Sequence, residues 1–357
     1  MKFVHIADMH FDSPFVNLSD KGILGDLRRL EQRKILKKII EYSKQNQIEY
    51  LFISGDLYDH KYVKRSTIEY INHLFEEIPN TQIFISPGNH DPNTKNSYYN
   101  KFNWSKNVTI FSNKIQKVEK EDIYIYGYGF DDFYCTDCGI EELELEDLDK
   151  INILVIHGTL DGASLEEKQY NSMTRRMLEE KKFDYIALGH IHKLDKSTHM
   201  VYPGSTVSLG FDELGEHGMI VGDIQKGNVK LEFVPLDEEE FKEIHMEISN
   251  LLSKEELIEK INDLEISNKE YIKIILTGNR NFEINKYELL KYIENERIIK
   301  IKDDTQIAYD LEKIANETTL KGLFVKEMLE KLRKPEITEE EKHIIEKSIE
   351  IGIEALE

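Results

Sequence analysis

Five short segments of this chain collect its chemically interesting side chains: Asp8-Met9-His10, Gly55-Asp56-Leu57-Tyr58-Asp59, Gly88-Asn89-His90-Asp91, His157-Gly158 and Gly189-His190-Ile191-His192. An apolar, β-rich run leads into each. Imidazole nitrogens with carboxylate and amide oxygens, delivered from several strand ends, suit a pair of divalent cations; without thiolates, Mn²⁺, Fe²⁺ and Zn²⁺ all fit. Asp8 and His10 lie two apart at a strand end, so both can turn to one ion. A carboxylate has two oxygens and can bridge two ions. A lone Asp-x-His or Gly-Asn-His-Asp would say little; all five in this order make a specific signal. His60, His73, His199, His245 and His343 stand apart from the motifs and read as surface or packed residues. His5 reads as a packing residue of the first strand.

The elements that would carry these segments follow from periodicity. Strands are expected over Lys2–Ala7, Tyr50–Ser54, Gln82–Ser86, Ile123–Tyr128, Ile151–His157, Tyr185–Gly189, Met200–Pro203, Gly218–Asp223 and Val229–Pro235, as β-branched or aromatic runs ended by Gly, Pro or Asp. A helix over Leu27–Lys44 would bury Leu27, Leu30, Leu36, Ile39 and Ile40, and a second is expected over Thr67–Glu77. Strand, ligand loop, helix, strand is the α/β alternation that places sites at strand carboxyl ends. Residues 1–240 therefore read as one α/β domain, closed by the charged segment Leu236-Asp-Glu-Glu-Glu240. Residues 241–305 read as a small α/β domain, with strands 242–248, 271–278 and 298–303 and helices 253–264 and 285–296. Ser253 with Glu256 reads as a capping box. Residues 306–357 read as two C-terminal helices striped by Leu320, Leu323, Phe324, Met328, Leu329 and Leu332, and by Ile345, Ile349, Ile353 and Leu356. Thr338 and Glu341 can cap the second. Ile345, Ile349 and Ile353 have the spacing for docking in a partner's groove.

The chain has 357 residues, enough for an enzyme core plus a smaller domain. No apolar run approaches membrane-spanning length. The first residues enter a strand with no signal peptide, so a cytoplasmic protein with no membrane partner is expected. The two cysteines, Cys135 and Cys138, read as reduced thiols without a role in the site. The formal net charge of −21 opposes nucleic-acid binding. Its distribution softens the objection, because acids crowd Glu121–Asp149. Arg28, Arg29, Arg33, Lys34, Lys61, Lys64, Arg65, Lys95 and Lys101 flank the first motifs.

The order of the five segments resembles the calcineurin-like metallophosphoesterase superfamily, and within it the SbcD/YhaO-like DNA-repair exonucleases. The opening His5-Ile6-Ala7-Asp8-Met9-His10-Phe11-Asp12-Ser13-Pro14-Phe15 and the distal Leu320-Lys321-Gly322-Leu323-Phe324-Val325 with Gly352 and Ala355-Leu356 are YhaO-like in particular. The resemblance implies a four-layer α/β/β/α metallophosphoesterase sandwich with a small α/β cap domain and C-terminal helices. It assigns Asp8, His10, Asp56 and His192 to one metal ion, and Asp56, Asn89, His157 and His190 to a second, with Asp56 bridging. It gives His90 the role of proton donor to the leaving oxygen, and Asp91 could hold that imidazole in the donating tautomer. Gly189 would make cheap the turn that sends His190 and His192 to neighbouring ions. Tyr202-Pro203-Gly204-Ser205 resembles the family's Tyr-x-Gly-Ser turn, which makes Tyr202, Gly204 and Ser205 candidate substrate contacts. Some relatives in break repair carry His where Asp59 stands, and any role of that His does not pass to His60.

The implied activity is a Mn²⁺-dependent DNA exonuclease or endonuclease, hydrolysing phosphodiesters with a two-metal-activated water. The implied partners are DNA and an SbcC-like coiled-coil ATPase, with a homodimer as a further assembly. The chain itself lacks a G-x-x-x-x-G-K-[ST] loop, so ATP hydrolysis would belong to the partner. The alternative is a stand-alone metallophosphoesterase acting on nucleotides or phosphoproteins, which the same metals would serve.

Overall fold

The computed structural model describes residues 1–15, 18, 23–162, 170–196, 198–307, 311–334 and 336–356. They divide into two compact units, Met1–Lys242 with Ile266–Ile272, and Glu243–Glu265 with Lys273–Glu357.

The first unit begins with β1 (Lys2–Ile6), α1 (Leu24–Gln45), β2 (Tyr50–Ile53), α2 (Arg65–Glu76), β3 (Gln82–Ile85), α3 (Tyr98–Lys101) and β4 (Val108–Ile110). It continues through β5 (Gln116–Lys120), β6 (Ile123–Tyr128), β7 (Ile151–His157), α4 (Arg175–Lys181), β8 (Tyr185–Gly189) and β9 (Met200–Val201) to the hairpin β10 (Gly218–Gln225) and β11 (Asn228–Pro235). One sheet has the order β11-β10-β1-β2-β3-β4, the other β5-β6-β7-β8-β9. The strands from β1 to β4 run parallel, as do those from β6 to β9, while β10, β11 and β5 add antiparallel edges.

Both faces of each sheet are covered, which is why the strands read as continuous apolar runs. The period of two decides which side chain goes where. In β2 and β3, Leu51, Ile53, Ile83 and Ile85 face the helices, with Ile39 and Phe75 among their neighbours. Phe52 and Phe84 point the other way and meet Ile153, Val155, Tyr185 and Ala187 of the second sheet. Leu154, Ile156, Ile186 and Leu188 face outward onto Leu178 of α4. The layers are therefore helix, sheet, sheet, helix, the four-layer sandwich. Each fully buried phenylalanine between the sheets contributes roughly 1.5–3 kcal/mol of transfer free energy.

The face of α1 departs from expectation. Leu27 and Leu30 are exposed, and Arg28 and Gln32 take the inward positions. Polar partners explain the rotation. Arg28 pairs with Asp237 at 2.9 and 2.5 Å and donates to the Ser208 carbonyl at 2.9 Å. Gln32 donates to the carbonyls of Met9 and His10 at 2.8 and 2.9 Å, so α1 holds the first ligand loop directly. Asp12 accepts from the Lys64 N–H and the Thr67 hydroxyl, fixing the start of α2.

The second unit follows β12 (Glu240–Glu247), α5 (Lys254–Asn262), β13 (Glu270–Thr277), β14 (Asn279–Arg280), α6 (Lys286–Tyr292), β15 (Ile298–Asp303) and β16 (Gln306–Ile307). Its three-stranded sheet has β13 between β12 and β15. Ser253 caps α5, but Glu256 reaches back to the Leu252 N–H, so the box is only half closed. The chain ends in α7 (Leu311–Ala315), α8 (Leu320–Leu332) and α9 (Glu339–Ala355), with the Thr338–Glu341 capping box complete. Here the structure corrects a docking expectation. Ile349 and Ile353 are buried with Val325, and Ile345 packs beside them, so this stripe belongs to the helices' own core. Among the described residues no helix is long and apolar enough to cross a membrane.

Candidate metal centre

The five motifs meet at the carboxyl ends of β1, β2, β3, β7 and β8, where the chain leaves the sheets in unusual backbone conformations. Asp8, His10 and Asp56 have φ of 52°, 46° and 52°, and His190 has 102°. Left-handed backbone at non-glycine residues is costly and is kept where surrounding structure enforces it. The enforcement is visible: Asp8 N–H donates to Gly55 O at 3.1 Å and His10 N–H to Asp56 O at 2.9 Å, zipping the first two loops together. The turn at Gly189-His190 is made by His190 itself. Gly189 is needed for a different reason, since a Cβ there would lie 1.8 Å from the Ser54 carbonyl oxygen of the other sheet.

Asp8, His10 and His192 offer ligand atoms within 4.8 Å of one another, and so do Asp8, Asp56 and His157. Asp56 stands between them. Its Oδ2 lies 3.4 Å from His157 Nε2 and 3.7 Å from His10 Nε2. Its Oδ1 accepts the His90 N–H at 2.8 Å. Asn89 Oδ1 is 3.0 Å from His157 Nε2 and 3.2 Å from His190 Nδ1, which brings His190 beside the second group. The His190 N–H is shared by both oxygens of Asp8.

The far side of each ring fixes its tautomer. His157 Nδ1 faces the Ser54 carbonyl at 2.8 Å, so Nδ1 carries hydrogen and Nε2 presents a lone pair. His192 Nδ1 is bound to Glu213, and His10 Nδ1 is 3.3 Å from Asp59 Oδ1. His10 Nε2 and His192 Nε2 then face each other at 3.1 Å, each with its Nδ1 already committed to a carboxylate. Two bare lone pairs at that distance repel unless a cation or a proton lies with them. The donor set fits divalent metal.

Charge sharpens this. Burial opposes the protonated His157, but Asp56 and then Asp8 outweigh it and raise the ring from 6.5 to about 9. Burial also opposes the protonated His192, and the Glu213 hydrogen bond with the Asp8 charge lifts it to about 9. His190 moves down to about 3 through burial and the neighbouring His157. The carboxylates thus hold positive charge at the centre, and a metal ion must displace protons to take their place.

His90 is half exposed at the mouth, its side chain 51% accessible. Its Nδ1 lies 2.8 Å from Asp59 Oδ1. The expected Asp91 partnership is therefore corrected. Asp91 is fully buried and accepts from the N–H groups of Gly88, Asp56 and Leu57 at 2.6, 3.0 and 2.7 Å and from the Tyr99 hydroxyl at 2.6 Å. It ties two ligand loops together and leaves no oxygen for the imidazole. His90 also shares a cluster with His10 and Asp56.

The side chains of Tyr202 and Ser205, two of the three candidate substrate contacts, are turned inward. Tyr202 is buried, donating to Gly158 O at 2.8 Å and accepting from the Leu160 N–H. Ser205 donates to Glu213 Oε2 at 2.8 Å. Gly204, at φ 76°, passes so close to the His192 carbonyl that a Cβ would sit 2.8 Å from it. All three pack against the loops that carry the candidate ligands.

The residues missed by sequence reasoning are Asp59 as the His90 partner and Glu213. Glu213 lies 21 positions from His192, in a segment with no motif of its own. The preference of ligand histidines for an oxygen acceptor at the second nitrogen is the one signal that could have prompted a search for it. His217 is buried, with Nδ1 2.9 Å from Ser205 Oγ, and supports the same loop. His5 bridges Tyr185 and Ser54 inside the sandwich, as a packing residue does. Cys135 and Cys138 are free thiols.

The calcineurin-like phosphoesterase family profile matches residues 1–194, more than half of the chain. The uncharacterized metallophosphoesterase YhaO of Bacillus subtilis is 25% identical over 247 residues, spanning 65% of this chain and 60% of that protein. The SbcD subunit of the nuclease SbcCD of Staphylococcus epidermidis is 28% identical over 275 residues, spanning 66% of this chain and 70% of its own length. A dimetal phosphatase from Danio rerio superposes with a TM-score of 0.39 at 9% identity, over 65% of this chain and 95% of that one.

Proposed function

The chain belongs to the calcineurin-like phosphoesterase family, and from that premise we propose that it is a Mn²⁺-dependent DNA exonuclease or endonuclease. Membership makes it a metal-dependent phosphoesterase; the nuclease reading is supported by its similarity to the SbcD subunits of SbcCD nucleases. The observation that carries the reading is Asp56, whose carboxylate faces His10 on one side and His157 on the other. In this proposal Asp8, His10, Asp56 and His192 hold one ion, and Asp56, Asn89, His157 and His190 hold the other. Two bound ions supply Lewis-acid charge for the phosphate oxygens and lower the pKa of water to near neutral.

The chain's own groups do the rest. Asn89 contributes a neutral oxygen and limits the negative charge at the centre. Asp59 holds His90 at Nδ1 and, against the opposing effect of burial, raises its pKa, so His90 can present a proton from Nε2 to the leaving oxygen. Glu213 and the Ser54 carbonyl fix His192 and His157 in ligand-ready orientation.

DNA would be gripped weakly by this chain alone. Arg28 is buried, and Arg29, Arg33, Lys34 and Arg65 are each paired with a carboxylate. Lys61, Lys64, Lys95 and Lys101 remain for phosphates around the second and third motifs. Residues 1–240 are assigned to cleavage, 241–305 to a cap that guides DNA and 306–357 to binding an SbcC-type coiled-coil ATPase. With the isoleucine stripe buried, docking falls to the outer residues Leu320 and Leu323 of α8 and Ile344 and Ile351 of α9, all more than half exposed. Leu323→Lys with Ile351→Lys should abolish co-purification of such an ATPase while metal content stays normal. Undiminished co-purification would remove this surface from consideration.

The net charge of −21 favours a second reading, a stand-alone phosphoesterase for nucleotides or phosphoproteins. The purified protein with Mn²⁺ decides between them on linear duplex DNA, single-stranded DNA and bis-p-nitrophenyl phosphate. Cleavage of DNA as well as the small diester is expected. Turnover of small phosphomonoesters alone would overturn the nuclease reading.

A further inference from the structure

A run of aromatic rings leads out of the candidate centre, and the chemistry above does not use it. The ring of Tyr170 lies against that of His190, centroids 5.0 Å apart and 34° between planes. Tyr134 lies against Tyr170 at 6.1 Å and 33°. The run begins at an imidazole of the ligand cluster and ends on Tyr134, which is 60% exposed.

The rings are held from behind. Cys135 and Tyr170 form a β-bridge. The Asn171 N–H donates to the Cys135 carbonyl at 2.6 Å, and Asn171 Nδ2 donates to the His157 carbonyl at 3.0 Å. Both tyrosine-bearing segments are thereby tied to the strand end that presents His157. A platform fixed in advance loses little freedom when a planar group stacks on it.

The charge around this rim selects what can lie there. Asp131, Asp132 and Asp137 share the segment with Tyr134, held by Asn113, the Phe133 N–H and the Gly139 N–H respectively. Three carboxylates repel a phosphate. The uncharged face of a base meets no such repulsion and gains the stacking contact. A duplex turns its phosphates outward and hides its base faces in the stack; an unpaired strand offers the faces.

We propose that Tyr134, stacked on Tyr170, is a platform for an unpaired nucleobase next to the diester to be cleaved, so that the substrate is single-stranded or frayed-end nucleic acid. The inference rests on the nuclease reading above.

The test compares kcat/KM of the full-length, Mn²⁺-loaded protein on a single-stranded oligonucleotide and on a strand of equal length made abasic. Tyr134→Ala should lower kcat/KM on the base-bearing strand by about 5- to 100-fold, the range of a lost base–aromatic stack. Tyr134→Trp should retain activity, and Tyr134→Leu should lose it as alanine does. On the abasic strand the gap between wild type and Tyr134→Ala should shrink to about twofold or less, closing a double-mutant cycle between ring and base. Equal activity of wild type and Tyr134→Ala on the base-bearing strand overturns the platform. So does rescue by Tyr134→Leu, which marks a generic apolar contact such as a protein partner would make. A wild-type protein that hydrolyses bis-p-nitrophenyl phosphate but no oligonucleotide overturns the nuclease reading itself, and the platform with it.

Discussion

Asp56→Ala is expected to abolish hydrolysis and strip most of the bound metal from the protein. The side chain is almost wholly buried, and its Oδ2 faces imidazole nitrogens of both candidate ligand groups. In the proposed assignment its removal takes one carboxylate from two coordination shells together. Outer-shell partners of metal sites already cost roughly 10–100-fold when lost, so a shared ligand should cost at least about a thousandfold in turnover. Asp56→Asn is the informative companion. It keeps an oxygen to accept the His90 N–H, now at 2.8 Å, but gives up the charge that stabilises the nearby imidazoles. It should fold like wild type and still bind metal poorly. Elemental analysis with turnover of a small diester reads both variants. Two retained ions with near-normal turnover in Asp56→Ala would refute the bridging role.

His90→Gln should act differently, leaving metal content near wild type and lowering turnover by about 10²–10⁴-fold, the range for general acid catalysis. A diester with a very good leaving group needs less protonation and should lose less. The pH dependence carries the sign of the assignment. Burial disfavours the charged ring, but the hydrogen bond and charge of Asp59, with the charge of Asp56, raise the pKa of His90 above 6.5. A proton donor is present below its pKa and lost as pH rises through it, so activity on poor leaving groups should fall on the alkaline side. Asp59→Asn removes the charge that raises this pKa and should move that limb to lower pH. Equal losses on good and poor leaving groups, or a limb unmoved by Asp59→Asn, would mean that His90 serves some other purpose, such as binding.

The amino-acid sequence alone picked out the candidate ligands and their placement at strand ends. That information is local. Asp8 and His10, or His190 and His192, sit two residues apart after β-rich runs, and the strands themselves follow from apolar segments closed by Gly, Pro or Asp. The α/β class and the layering follow from the same local patterns with the family resemblance. The edge strands β4 and β5 escaped because Val108–Ile110 is short and Gln116–Lys120 is mostly polar, so neither stands out as an apolar run.

What only the tertiary structure decided is which group holds each candidate ligand in place. Asp91 adjoins His90 in the chain, yet its carboxylate is drawn inward by three backbone N–H groups and the Tyr99 hydroxyl, and Asp59 takes the imidazole from 31 positions away. Glu213 reaches His192 from a loop with no motif, and Gln32 and Arg28 turn a face of α1 that reads as apolar toward the carbonyls of other segments. The isoleucines of α9 read as free for a partner until α8 folds over them. In each case a buried polar group must find its acceptor, or an apolar stripe its cover. Periodicity tells that such a partner is needed, but the partner comes from whichever distant segment the fold brings within reach.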